Sequence, residues 1–410
     1  MIRKNLLQLI FSGACMWRWN DKLRPVELAE IEKQAHKMLI ACVLLHEATA
    51  SAAQDERIEL AERIIEGALF DYFYRLIITD IKPPVFYRIR ANRSHYEQLT
   101  RYALDRLEPV LSPLGPFWER MRTWHLRENA DNDLDRRILA AAHLFASHWE
   151  FRLIEPHNPF DEEMPGIARS FQEELAQYAD LPGMSALLAK DNALGRFGNL
   201  CGQLRFQIRW TQAPRIPATS VLGHMFIVAA CAYLFSLDIN AGAARRANNF
   251  FAGLFHDFPE VLTRDIISPV KKSSAGLQEI LREYEQSELE RRVLNPLTNA
   301  GFGAFVRQMS YYLGLEAGSE FQDCCRLNGR VSRLDGFAAM QANDLDENDP
   351  KDGQLLKVCD LLAAYLEAHN SIRNGLSSPH LIEARERLKN EICELAPEKL
   401  QMEALISDFD

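Results

Sequence analysis

The feature that most limits what this chain can fold into is an internal repeat. Residues 69–85, LFDYFYRLIITDIKPPV, align without a gap on residues 254–270, LFHDFPEVLTRDIISPV, with seven of 17 positions identical. Other matches fall in the same order. Arg18-Trp19 corresponds to Arg209-Trp210, and His36, opening HKMLIACVLL, to His224, opening HMFIVAACAYL. DRRILAAAHLFASHWE (135–150) corresponds to DGQLLKVCDLLAAYLE (352–367). One dipeptide match is chance, but four in one order predict duplication of an entire domain. The boundary is expected near residue 185, after the Leu181-Pro182-Gly183 break, giving units of 1–185 and 186–410. At 410 residues, each unit is large enough to bury its own core.

Both units read as helical. ELAEIEKQAHKMLIACVLLHEATA, DRRILAAAHLFASHWEF and LIEARERLKNEICELA carry apolar residues three and four apart, and alternating strand patterns are scarce. Pro and Gly cluster between them, at 155–165, 181–184, 213–218 and 373–379. The fold class expected is all-α. The acidic stretch 343–352, NDLDENDPKD, is expected to be a solvated loop, since its spacing does not match a calcium-binding EF-hand. Met225 to Ser236 is the longest apolar run and reads as a buried core helix, short of the roughly 20 residues that span a bilayer.

The opening MIRK followed by LLQLIF has a faint look of a secretion signal. Its apolar core is short, interrupted by Gln8 and followed at once by WRWNDKLR. Eight scattered cysteines, with no CxxC pair, suit reduced thiols; Cys324-Cys325 is expected as an inert pair in a helix or loop. The expected location is cytoplasmic, without a membrane partner. A net charge of −10 supplies no broad basic field, so long nucleic acid is not an expected partner.

The chemistry concentrates in the second unit. His224 opens an apolar helix, His256-Asp257 follows within AGLFHDFPEVL, and Asp360 lies inside LLKVCDLLAAYLEAH. A carboxylate in such a core must be paired, hydrogen-bonded or metal-bound. Two imidazoles with two carboxylates suit a divalent transition metal with open positions for water. Taken singly, each residue is as well explained as an ordinary core histidine or buried cap, and the dipeptide His-Asp is a weak signal alone. The value lies in the ordered series and in its context.

That context resembles a known family. The series His224, His256-Asp257, Asp360 is the pattern of HD-domain phosphohydrolases. RW (209–210), SVLGH (220–224), HDFPEVLTRDIISPVK (256–271) and CDLLAAYLEA (359–368) are similar to the bacterial 5′-deoxynucleotidase branch, over roughly residues 195–390. Together with the repeat, this gives two tandem HD-like helical domains; the resemblance implies one divalent transition metal, Mn, Co, Fe, Ni or Zn, held by His224, His256, Asp257 and Asp360. It also implies acid–base and positioning work for Glu260 and Asp265, and a 5′-(deoxy)nucleoside monophosphate as substrate. Glu260 lies three residues past Asp257, on the same side of a continuing helix, although Pro259 disturbs that continuation. Each carboxylate has the alternative of a surface salt bridge or turn cap. Lys271 could neutralise the phosphate or be simply solvated. Arg209 and Trp210 suit phosphate pairing and stacking, or packing, because Arg18-Trp19 is kept in the first unit. One departure stands out: Gly223 occupies the place before the first histidine where the family usually has Glu.

In the first unit His36, Asp71, Tyr72 and His143 fall opposite the four ligands, with Arg75 opposite Glu260 and Asp80 opposite Asp265. Tyr72 is a poor ligand and Arg75 repels a cation, so the first unit is expected to be a non-catalytic copy. It would complete an intrachain pseudo-dimer with an apolar pseudo-twofold interface, with a homo-oligomer also open. Two competing functions are a catalytically weak nucleotide-binding regulator and a phosphohydrolase for another ester. The absence of a GYP triplet argues against the cyclic-dinucleotide branch.

Overall fold

The computed structural model describes residues 2–127, 132–264 and 275–410. The described residues are helical apart from one two-stranded hairpin, Cys324–Leu327 paired antiparallel with Arg330–Arg333. The all-α expectation holds.

Three long helices frame each half: Glu30–Ala48, Gln54–Ile78 and Leu134–Ile154 in the first, Val221–Asp238, Ala243–Phe255 and Gly353–Arg373 in the second. Val221–Asp238 begins at Ser220, whose hydroxyl accepts from the Gly223 amide at 3.2 Å and caps the first turn. Its side chains are apolar all round, as a central helix requires. By length and composition it could cross a membrane, but 89% of it is buried inside the protein. Helices Ala243–Phe255, Gly353–Arg373 and Glu30–Ala48 surround it. A Cβ on Gly253 would lie 3.0 Å from the Ala229 Cα, so this glycine lets helices 221–238 and 243–255 approach backbone to backbone.

One cluster of buried apolar side chains runs through both halves. Helix 30–48 packs on 221–238, and 54–78 on 243–255. Tyr72 meets Phe226 edge to face at 4.9 Å between ring centroids. Polar ties cross the same contact: the Tyr233 hydroxyl donates to Glu66 at 3.0 Å, and the Ser220 hydroxyl to Glu32 at 2.6 Å. The N-terminal helix Lys4–Ser12 buries Leu6, Leu7, Ile10 and Phe11 in the shared core.

Local geometry recurs between the halves. A bridge pairs Trp17 with Ala29, and another pairs Ile208 with Ser220. Trp19 and Trp210 both take positive φ, at 56° and 59°, as do Thr79 and Arg264, at 60° and 72°. Trp19 Nε1 donates to Glu150 at 3.0 Å, and Trp210 Nε1 to Glu367 at 2.7 Å. Counting from the matched bridges places Lys33, not His36, opposite His224. The first half has extra residues after helix 30–48, in the turn and the start of helix 54–78, which a match of two apolar runs by their leading histidines conceals. His36 instead meets the Gly198 carbonyl through Nε2 at 2.9 Å, and Phe145 and Trp149 edge on.

Two loop expectations need correction. The acidic stretch 343–352 is not merely solvated. Asp344 and Asp346 accept from the amides of Gly242 and Ala244 at 3.0 and 2.8 Å, capping the N-terminus of helix 243–255 where the helix dipole favours negative charge. Arg245 pairs with Asp344 at 2.9 Å and also with Asp352. Cys324 and Cys325 lie in a strand, not a helix or loop; all eight cysteines are free thiols.

Candidate metal centre

Each half of the His-Asp pair owes its position to a helix ending. Helix 243–255 stops at Phe255, and His256 to Pro259 form a turn before the short helix Glu260–Thr263. The continuing helix expected through Glu260 is therefore broken, because Pro259 cannot supply an amide to it. The result places His256 and Asp257 at a helix C-terminus, where the partial negative charge of the last carbonyls favours a cation. His224 enters from the first turn of helix 221–238, and Asp360 from the middle of helix 353–373.

The four side chains converge. His224 Nε2 is 3.1 Å from Asp360 Oδ1 and 3.8 Å from Asp257 Oδ2. His256 Nε2 is 3.2 Å from Asp257 Oδ2 and 4.0 Å from Asp360 Oδ1. Ligand atoms of His224, His256 and Asp257 lie within 4.8 Å of one another, so that a small closing movement gathers them on one ion. Both imidazoles are buried, while the two aspartates keep a small exposed face.

The ring orientations suit a metal. His256 Nδ1 donates to the Gly253 carbonyl at 2.8 Å, which turns Nε2 toward the cluster. That buried Nε2 finds no aligned hydrogen bond of its own. His224 Nδ1 faces Glu367 Oε1 at 3.5 Å, the carboxylate–histidine arrangement that orients metal ligands. The electrostatics also favour a cation. Burial opposes a charge on His256, yet Asp257 and Asp360 outweigh it and raise its pKa to about 9. Burial likewise opposes ionised carboxylates. His256 and Arg209 nevertheless hold Asp257 well below the usual range, and Lys357 and His224 do so for Asp360.

Around the cluster, Arg209 Nη1 reaches Asp257 Oδ2 at 3.1 Å, and its Nε lies 3.5 Å from Glu367. Trp210 shares Glu367. Arg18 and Trp19 meet Glu150 in the same way, Arg18 at 2.8 Å, so the Arg-Trp pair has a packing duty in both halves. Glu260, His256 and Asp257 line a recess of about 160 Å³ with Arg282, Glu285 and Glu320. Asp265 and Lys271 lie outside the described residues.

Sequence reasoning missed Glu367 and Lys357. Lys357 Nζ contacts Asp360 Oδ2 at 2.8 Å from one turn earlier on the same helix, a spacing visible in KVCD. Glu367 sits two turns past Asp360, and its partner Glu150 at the end of the matching 135–150 segment was the available signal. The odd Gly223 also acquires a reason. Its absent Cβ would lie 3.1 Å from Ile31 and 3.7 Å from the Glu32 side chain, so the first half fills that place and brings a glutamate with it.

The first half shows no such convergence. Tyr72 is buried in the core with its hydroxyl on the Ile10 carbonyl, and His36 faces Gly198. Among the described residues the grouping of His224, His256 and Asp257 is the one set of three or more His, Cys, Asp or Glu side chains able to share an ion. Residues 201–389 match the family described as HD domain, a stretch that contains the whole cluster and supports an HD-domain protein. Among curated proteins, none matches this chain.

Proposed function

We propose that the HD region of this chain is a metal-dependent phosphohydrolase that converts 5′-(deoxy)nucleoside monophosphates to nucleoside and phosphate. One observation carries the reading: two imidazole Nε2 atoms and two aspartate oxygens converge, with each ring's other nitrogen turned to an oxygen outside the cluster. Metal dependence and phosphohydrolysis follow from the HD match; the nucleotide, and the preference for a deoxyribose, rest on the motif resemblance of residues 195–390.

A divalent transition ion held by His224, His256, Asp257 and Asp360 supplies a Lewis acid for the phosphoryl oxygens and lowers the pKa of water. The chain's own groups do the rest. Glu260, buried at the rim of the recess, takes the proton of the attacking water or returns one to the leaving 5′ oxygen. Asp265 is proposed for the complementary role. Water adds to phosphorus, the bond from phosphorus to the 5′ oxygen breaks, and that oxygen leaves protonated. Lys357, Arg209 and Lys271 offset the charge on the phosphoryl group, and Trp210 bounds the nucleoside side. The first half acts as a non-catalytic copy that covers the second, an intrachain pseudo-dimer.

The test is phosphate release from a panel of ribo- and deoxynucleoside monophosphates, with Mn, Co, Fe, Ni or Zn added in turn and Asp257→Ala alongside. Release that needs metal and falls more than about a hundredfold in the variant is the expected result. Tight nucleotide binding without release on any metal would replace this reading with a binding regulator.

A further inference from the structure

The place in the first half that matches the metal centre has changed its charge. Where the second half carries His224, Asp257, Asp360 and Glu260, the matched positions hold Lys33, Tyr72, His143 and Arg75, and Asp71 stands opposite His256. Three carboxylates have become one, and two cations have appeared. Lys37, one turn beyond Lys33 on the same helix face, adds a third.

These groups do not neutralise one another fully. Lys33 Nζ is 3.3 Å from Glu30, and Arg18 uses the other oxygen of Glu30 at 2.8 Å. Glu150 is divided between Arg18 and Arg205. Arg75 pairs with Asp80 at 2.5 Å and stands 3.8 Å from Glu30. The Lys37 side chain is 3% exposed, yet its ammonium makes no hydrogen bond among the described residues; its nearest carboxylate is Asp71 at 3.6 Å, whose other oxygen accepts from Trp124. His143 likewise has no hydrogen bond there.

The cluster reaches the surface at Arg75 and His143. The His143 ring presents an exposed surface, although it sits on a helix packed against helix 30–48 and in the field of Lys33, Lys37 and Arg18. Burial pulls Lys33 down to about 7, with Arg18, Lys37 and Arg75 adding to it against Glu30. Such a field is relieved by an anion.

We propose that this cationic cluster, carried on helices 30–48, 54–78 and 134–154, binds a phosphate-type oxyanion, free or as the phosphate of a small ester. Lys33, Lys37 and Arg75 supply cationic donors and His143 a neutral N–H. With no metal-binding set, the site holds its anion without hydrolysing it. It is separate from the proposed catalytic centre and stands whether or not that centre turns over nucleotides.

The experiment is calorimetric titration of the full chain with inorganic phosphate, at fixed ionic strength and with a chelator present. The expected result is saturable binding that survives Asp257→Ala and weakens at least tenfold in Lys37→Met, with partial recovery in Lys37→Arg. A second readout is taken on the unsubstituted chain: the imidazole resonances of His143, assigned by their loss in His143→Asn, should shift with phosphate. A nucleoside monophosphate run in parallel distinguishes the sources. Tenfold tighter binding than phosphate identifies an ester, and equal affinity the bare anion. Absence of saturable binding in the unsubstituted chain overturns the proposal. So does binding that Asp257→Ala abolishes while the His143 resonances stay fixed.

Discussion

At the scale of single residues, the centre depends on side chains that never touch a metal. Glu367 is fully buried and gathers His224 Nδ1, Thr219, Trp210 and Arg209 around one carboxylate. Burial works against its charge, but Arg209 and Arg215 hold its pKa well below the usual range. It is therefore an anion that faces the ring of His224 and sets its orientation. Glu367→Gln preserves shape and removes the charge. It should lower metal affinity by about 10–100-fold, read by competition with a chromophoric chelator, while far-ultraviolet circular dichroism stays unchanged. Unaltered metal affinity in a folded variant would remove Glu367 from the centre. The same logic makes Arg209 a positioning residue for Asp257 as well as the phosphate contact proposed above, and Arg18 takes the equivalent place beside Glu150 in a half without the ligand set.

At the scale of elements, the His-Asp pair is placed by a close helix crossing followed by a broken turn. Gly253 does two things there: its missing side chain admits the backbone of Ala229, and its carbonyl anchors His256. Gly253→Val should push helices 221–238 and 243–255 apart and cost about 1–3 kcal/mol of stability. The displaced carbonyl should also release the His256 ring, so metal affinity is expected to fall in the same variant. Urea denaturation with and without metal measures both. A variant as stable as the parent, and as tight for metal, would show that the crossing has slack the distances do not suggest.

At the scale of the molecule, the halves are not beads on a string. One apolar cluster extends through both, and helix 221–238, which bears His224, is covered on one side by helix 30–48 of the first half. Glu32 of the first half accepts from the N-cap Ser220 of that helix. A fragment of residues 190–410 would expose Phe226 and its neighbours and leave Ser220 without Glu32. It should be insoluble or self-associate, and should lose most of its metal-dependent activity. Sedimentation together with the phosphate-release assay checks this; a soluble, monomeric, fully active fragment would show that the first half is dispensable.

How much of this was legible depends on the range of the interaction. The helices and the central apolar run could be read because periodicity is a local property of the chain, and the four residues of the cluster because their order along the chain resembles a family pattern. The sequence alone also carried the charge reversal at Arg75, since residue identity needs no coordinates. Tertiary structure decided what depends on register and on distant partners. Lys33 rather than His36 stands opposite His224, because a shift between two apolar runs is invisible until matched bridges fix it. Asp344 and Asp346 cap a helix about a hundred residues earlier in the chain, which no local pattern announces. Gly223 reads as a defect in isolation and as a fitted surface once Ile31 and Glu32 are seen against it. Side-chain type is written in the sequence; which charge meets which is written only in the packing, because burial sets the strength of every pairing and only the fold sets burial.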